Sequence, residues 1–101
     1  MKADLEDLRK RIDLLDESLV RSLNARAACA LEIGRIKREM GIPIYQPERE
    51  AEVLRNVQAV NNGPLDQAAM KRLFERIIDE ARHLERIAEE VQLNAHKKDE
   101  K

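Results

Sequence analysis

A cluster of small and charged side chains interrupts the apolar face of the first 40 residues. Ser22, Arg26 and Cys29 occupy heptad positions at which the neighbouring repeats carry large aliphatic side chains. A guanidinium surrounded by small residues in a core position suggests a cavity that binds an anion. The alternative is that Arg26 is exposed, because a straight helix drifts by about 20° per heptad against a seven-residue repeat. Since an unpaired buried charge is costly, spacing alone leaves both interpretations open.

Two further cations could bind the same anion. Lys37 follows Arg26 by eleven residues, which puts both on one helix face, about 16 Å apart along the axis. Their long side chains could converge and bind a small dianion. Arg9 lies about 25 Å from Arg26 along the same helix. It can therefore reach this site only from a second chain, as in an antiparallel dimer.

Two carboxylates lie on apolar helix faces in the rest of the chain. Glu50, with Arg49 beside it, comes one turn before the apolar residues of a second predicted helix. Glu85 stands where the apolar stripe of a third helix predicts an aliphatic side chain, and the small Ala81 lies one turn before it. The sequence shows no metal-ligand spacing, no glycine-rich phosphate loop and no nucleophile–base pair. If Arg26 is buried, these residues predict a site that binds a small anion.

The cations Arg9, Arg26 and Lys37 all belong to one long predicted helix, from Asp4 to Met40. At 1.5 Å per residue this helix is about 55 Å long, whereas a compact chain of this length has a radius of gyration of about 13 Å. Another chain must therefore cover part of its apolar face, which predicts an intertwined helical homodimer. The apolar residues recur every three or four positions: Leu5, Leu8, Ile12, Leu15, Leu19, Leu23, Ala27, Ala30, Ile33, Ile36 and Met40.

The predicted fold class is all-α, with three helices per chain. The second helix should span Pro47–Val60, because proline suits the first helical position. The third should follow Asp66 as its N-cap and reach about Leu93. We interpret residues 1–95 as one helical domain and residues 96–101 as a charged, disordered tail.

The composition excludes several classes of protein. Charged residues make up 39% of the chain and aromatic residues 2%, which favours solvated helices over a sheet. The formal net charge of −1, with acids and bases interspersed, gives no support for nucleic-acid binding. No apolar run is long enough to span a membrane, and no signal peptide is visible, so we expect a cytoplasmic protein without membrane association.

Four segments, in their order and spacing, resemble the all-helical, type II (AroQ) chorismate mutases. They are LRKRIDLLDESLVRSLNAR, EIGRIK, PERE after a proline-containing loop, and LFERII in the last helix. The resemblance extends over roughly residues 5–91. It implies three helices per chain in an interlocked homodimer. It also implies the Claisen rearrangement of chorismate to prephenate, in phenylalanine and tyrosine biosynthesis, which requires no cofactor.

The resemblance also assigns roles to the charged residues. Arg26 and Arg9 of the partner subunit are expected to bind the substrate carboxylates. Lys37 is expected to contact a carboxylate and the ether oxygen, where negative charge develops as the C–O bond breaks. Glu50, with Arg49 beside it, is expected to accept a hydrogen bond from the ring hydroxyl.

Three positions depart from the pattern of the family. Glu85 is expected to contact the ether oxygen, but many relatives have glutamine there, and a carboxyl can donate a hydrogen bond only when protonated. Ala81 stands where some relatives use serine to contact a carboxylate. Gln46 stands where an aspartate can occur, and the change is minor if only its backbone contacts the substrate.

Two rival functions and one additional partner stay open. Isochorismate-pyruvate lyases share this fold and its cations, although Glu50 favours the mutase because it can accept a hydrogen bond from the chorismate ring hydroxyl. The chain could instead be a non-catalytic helical dimerisation module, in which Arg26 and Glu85 set the register of the helices. A mutase of this size could also associate with the first enzyme of the aromatic pathway, although no segment identifies such a contact.

Overall fold

Three α-helices make up the chain in a computed structural model, which describes the backbone of residues 2–99 and the side chains of residues 4–95. Helix α1 spans Lys2–Met40, α2 spans Pro47–Val60 and α3 spans Gln67–Asp99. The described residues contain no strand. The predicted all-α class with three helices is therefore confirmed.

Helix α1 ends at the glycine that the sequence indicated. Gly41 has a φ of +70°, a left-handed conformation that costs glycine little. The amide of Gly41 donates to the carbonyl of Arg38 at 3.3 Å, and the amide of Ile42 donates to that of Lys37 at 2.8 Å. These two bonds form a Schellman motif, which satisfies the last carbonyls of the helix and turns the chain towards α2.

The starts of the other two helices also follow local signals. Pro47 occupies the first turn of α2, as predicted, and Gln46 is its N-cap residue. The Asp66 carboxylate caps α3 by accepting a hydrogen bond from the amide of Ala69 at 2.7 Å. The predicted end of α3 at Leu93 is corrected, because the helix continues to Asp99. 

The continuation of α3 agrees with the sequence, since neither glycine nor proline follows Leu93 to stop the helix. The helix therefore includes the first residues of the segment 96–101 that was predicted to be a disordered tail. Residues 100 and 101 lie outside the described residues.

The three helices form an elongated body with a small core. Helix α3 packs against both α1 and α2. The radius of gyration is 18.4 Å, and the principal extents are 69 × 29 × 15 Å. Residues 4–25 of α1 are all exposed, so only the second half of this helix is packed within the chain. Among the described side chains, Ile78 is the one buried hydrophobic residue. No helix within residues 2–99 is apolar over a stretch long enough to cross a membrane.

Candidate active site

A cleft of about 450 Å³ lies between the second half of α1, the start of α2 and the middle of α3. It is lined by aliphatic side chains and by a set of charged ones. Seven of the eight residues predicted for the site line this cleft: Arg26, Lys37, Gln46, Arg49, Glu50, Ala81 and Glu85. The eighth, Arg9, lies elsewhere.

Helix α1 contributes two cations to the cleft. Arg26 is half-buried, and it is the first residue of α1 beyond the fully exposed stretch 4–25. Lys37 is also half-buried, and its ammonium donates a hydrogen bond to the carbonyl of Ile44 at 3.1 Å. This bond crosses from α1 to the loop that follows it, so the loop determines where the ammonium lies. The exposed-arginine interpretation of position 26 does not hold within the single chain.

The start of α2 contributes the polar wall opposite α1. Gln46 and Glu50 are half-buried, and the amide of Glu50 donates to the carbonyl of Gln46 at 3.2 Å. Arg49 is 61% exposed and pairs with Glu52. Arg49 thus lies at the rim of the cleft, whereas Glu50 faces its interior.

Helix α3 contributes a buried carboxyl group. Glu85 is only 7% exposed, and its Oε2 has no hydrogen-bond partner among the described residues. Burial raises the pKa of Glu85, because removal from water disfavours the charged form, and Lys37, Arg38 and Arg82 oppose the rise. The carboxyl can therefore be protonated, and so able to donate a hydrogen bond, at a higher pH than an exposed glutamate.

A glycine on α1 makes room for this carboxyl. A Cβ atom built on Gly34 would lie 3.2 Å from Cγ and 3.5 Å from Cδ of Glu85. The distance to Cγ is tighter than ordinary van der Waals contact, so the α1 backbone can approach Glu85 this closely because position 34 is glycine. The sequence pattern alone did not indicate a role for Gly34.

Two further arginines near the cleft were missed by the sequence analysis. Arg82 lines the cleft and donates to the Glu50 carboxylate at 3.3 Å. Arg38 lies near Glu85 and Gly34, and its Nη1 is buried without a hydrogen-bond partner among the described residues. The available signal for Arg82 was its position one turn after Ile78 and three residues before Glu85, which places all three on one face of α3.

Arg9 is not part of the cleft of its own chain. Its side chain is 65% exposed and lies 3.6 Å from Glu6, on the exposed first half of α1. The separation along the helix agrees with the expectation that Arg9 can reach such a site only from another chain. Ala81 lines the cleft, but a methyl group cannot bind a carboxylate as a serine hydroxyl would.

The arrangement suits a substrate that is anionic and needs no nucleophile. Arg26, Lys37 and Arg82 supply positive charge, and aliphatic side chains line the same cleft. In the part of the chain that the structure describes, no group of three or more His, Cys, Asp and Glu residues is placed to hold a metal ion. Preorganised cations and a hydrogen-bond donor in an apolar cleft can stabilise charge that develops during a rearrangement.

Comparison with known proteins identifies the family. The family model for chorismate mutase type II matches residues 8–86, which is most of the chain. The chain belongs to the chorismate mutase type II family. The resemblance noted in the sequence is thereby confirmed, and the matched segment contains every residue predicted for the site.

Two curated relatives represent different members of this family. A bifunctional chorismate mutase/prephenate dehydratase from Pseudomonas aeruginosa is 43% identical over 80% of this chain and 24% of its own length. This chain therefore spans about a quarter of that relative. A 4-amino-4-deoxychorismate mutase from Streptomyces pristinaespiralis is 36% identical over 80% of this chain and 64% of its own length.

A solved structure of a type II family member also matches the fold. The crystal structure of chorismate mutase from Helicobacter pylori in complex with prephenate superposes with a TM-score of 0.78. It is 32% identical in sequence, and the match covers 85% of this chain and 93% of that one. The helical fold of this chain is therefore that of a chorismate mutase.

Proposed function

We propose that this protein catalyses the Claisen rearrangement of chorismate to prephenate, in the biosynthesis of phenylalanine and tyrosine. The observation that carries the proposal is a cleft lined by Arg26, Lys37 and the buried carboxyl of Glu85, whose Oε2 has no hydrogen-bond partner among the described residues. A unimolecular rearrangement is accelerated by holding the reactive conformer and by directing donors towards developing charge. This cleft supplies cations for the two substrate carboxylates and donors for the ether oxygen.

Each charged residue has a role in this proposal. Arg26 binds one carboxylate of the substrate, and Lys37 contacts the other carboxylate and the ether oxygen. Glu85, when protonated, donates to the same ether oxygen as the C–O bond breaks. Glu50 accepts a hydrogen bond from the ring hydroxyl, and Arg49 at the rim binds a carboxylate that enters the cleft. No proton is transferred to or from the substrate, so no general base is required.

A direct assay tests the function. Purified protein is incubated with chorismate, and the disappearance of chorismate and the formation of prephenate are followed separately. Isochorismate is the second substrate, with pyruvate as the product to be detected. Prephenate formation without pyruvate release is expected. Pyruvate release from isochorismate would favour the lyase, and no turnover of either substrate would favour the non-catalytic module.

We further propose that the active unit is an intertwined homodimer. The chain exposes 8386 Å² of surface, whereas a compact monomer of 11.7 kDa exposes about 5,900 Å². The excess is of the size that permanent dimers bury. Aliphatic residues on the first half of α1 account for much of it, with Leu5, Leu8, Ile12, Leu15 and Leu19 each more than half exposed.

A second groove favours the same assembly. It lies between α1 and α3, has a volume of about 450 Å³ and is mostly apolar, with Leu23, Ala27, Ile77 and Ile87 in its walls. Arg26 lines both this groove and the cleft. A helix from a second chain in this groove would close the site and could bring Arg9 to the substrate.

Mixing two inactive variants tests whether the sites are shared. Arg9→Ala and Arg26→Ala dimers should each lose most activity, because each lacks one carboxylate ligand in both sites. After subunit exchange at equal concentrations, half of the dimers are hybrids with one intact site, so about a quarter of the wild-type activity should return.

The control for this experiment is proof of exchange by a label on one variant. If exchange is complete and no activity returns, Arg9 and Arg26 do not act together across an interface. An Arg11→Ala variant, altered at another exposed arginine of α1, should keep wild-type activity without mixing.

The glycine beside Glu85 provides another test. Gly34→Ala should reduce kcat by about tenfold, because its methyl group displaces the Glu85 side chain by a few tenths of an ångström. The thermal midpoint should change little, since alanine favours the helix by about 1 kcal/mol over glycine and offsets the contact. Steady-state kinetics and a circular-dichroism melt measure the two effects. Unchanged kcat would mean that the position of Glu85 is not critical.

Two other parts of the sequence-based interpretation stay predictions. They are a cytoplasmic location and a complex with the first enzyme of the aromatic pathway.

A further inference from the structure

Arg82 connects three elements around the cleft. Its guanidinium donates to Glu50 on α2 at 3.3 Å and to Asp79 on α3 at 2.8 Å. The same group lies over the ring of Tyr45 in the loop between α1 and α2, 4.9 Å from the ring centroid. The Arg82 side chain is 22% exposed, and its Nε is buried without a hydrogen-bond partner among the described residues. These contacts hold the guanidinium in one place.

The contact with Glu50 changes the charge that a substrate meets. Glu50 alone would present a carboxylate to the substituent on the substrate ring. With Arg82 beside it, the pair presents no net charge, and a half-buried setting screens each charge less than bulk water does. A neutral hydroxyl can still donate a hydrogen bond to the free lone pairs of the carboxylate. A positively charged substituent would have to approach the guanidinium as well.

We propose that Arg82 is a specificity-determining residue, which makes this cleft accept a ring hydroxyl and reject a ring ammonium. The proposal rests on the proposed function, in which Glu50 contacts the ring substituent. The competing substrate is the analogue of chorismate with an amino group in place of the ring hydroxyl. Amines of this kind are largely protonated at neutral pH. Discrimination therefore comes from a repulsive contact as well as from an attractive one.

The residues around Arg82 show that this charge is not cancelled elsewhere in the cleft. Asp79 is 61% exposed, so water screens its effect on the guanidinium. Tyr45 offers a ring face, which attracts the cation without neutralising it. Glu50, at 27% exposure, is the partner that shares the cleft. Loss of the Arg82 charge would leave an unpaired carboxylate where the ring substituent binds.

The test compares kcat/KM for chorismate and for 4-amino-4-deoxychorismate in matched variants. Arg82→Met removes the charge and keeps much of the side-chain volume. We expect the ratio of kcat/KM for the amino substrate to that for chorismate to rise by about tenfold or more. Arg82→Lys keeps a positive charge and should leave this ratio within about twofold of wild type. Arg72→Met, an exposed position on the same helix, is the control and should not change the ratio.

Arg82→Gln is a second neutral variant in case Arg82→Met does not fold, and it must shift the ratio in the same direction. A purely structural role for Arg82 would lower both values of kcat/KM together and leave their ratio unchanged. That result, in a protein whose wild type converts chorismate, would overturn the specificity role and leave the proposed function intact. A wild type that converts neither substrate would overturn the proposed function itself.

Discussion

Replacement of Lys37 by methionine should reduce kcat/KM for chorismate by about 100- to 1,000-fold, which is the usual effect of removing one donor from a preorganised site. Lys37 is half-buried in the cleft, and its ammonium is held by the carbonyl of Ile44 at 3.1 Å. In the proposed mechanism it faces the ether oxygen, where negative charge grows during C–O cleavage. Methionine fills a similar volume without a charge. The decrease in kcat/KM therefore reports on the lost charge more than on a change of shape.

The stability of this variant separates catalysis from folding. Loss of the hydrogen bond to Ile44 should lower the free energy of unfolding by about 1 kcal/mol, measured by urea denaturation. Lys71→Met, at an exposed position of α3, is the matched control and should change neither quantity. A Lys37→Met variant that keeps kcat/KM within a few-fold of wild type, with or without a stability change, would mean that Lys37 does not stabilise the charge on the ether oxygen.

Helix boundaries were predictable where a single residue type determines them. Gly41 ends α1 because it adopts a positive φ, Pro47 occupies the first turn of α2, and Asp66 caps α3. Each signal depends on a few neighbouring residues, so no tertiary information was needed. The end of α3 lacks such a signal, since neither glycine nor proline follows Leu93, and the predicted end there was too early.

The site was predictable where polar residues interrupt an apolar face. Arg26 and Glu85 were identified because each occupies a position at which helix periodicity predicts an aliphatic side chain. Arg49 and Glu50 were noted because they lie one turn before the apolar face of α2, and the family resemblance added Gln46 and the roles of all three. Their catalytic and binding roles stay predictions.

The remaining features of the site depend on contacts between helices. Gly34 matters because Glu85 of α3 lies against it, and Arg82 matters because it contacts Glu50 of α2 and Tyr45 of the loop. The contact of Gly34 with Glu85 leaves no periodic signal within one helix. Periodicity places Arg82 on the apolar face of α3 that carries Glu85. It does not identify Glu50 and Tyr45 as partners, because those contacts depend on the packing of α2 and the loop against α3.

Glu85 should make the reaction decline at alkaline pH. Burial raises the pKa of this carboxyl above its ordinary value of 4.5, although Lys37, Arg38 and Arg82 oppose the rise. Below the raised pKa the group is protonated and can donate to the ether oxygen. Above it the group is ionised and repels the charge that develops there, so kcat should fall by about tenfold per pH unit. Glu85→Gln keeps a donor at every pH and should lose this decline.

The stability of the protein should follow the same titration. The pKa of Glu85 is higher in the folded than in the unfolded state. The folded state therefore binds more protons at pH values between 4.5 and the raised pKa. The free energy of unfolding therefore decreases as the pH rises through that range. The stabilisation that protonated Glu85 contributes is fully present only below it. Glu85→Gln should lack this dependence, and Glu75→Gln, at an exposed position of α3, should retain it.

Both measurements use the same three proteins: wild type, Glu85→Gln and Glu75→Gln. Rates of chorismate conversion are recorded from about pH 5 to about pH 9, the range over which a raised carboxyl pKa would limit the rate. Identical alkaline limbs for wild type and Glu85→Gln would mean that another group titrates, or that the Glu85 carboxylate acts only by its position. A decline confined to proteins with Glu85 would establish that the protonated form of this carboxyl supports the reaction.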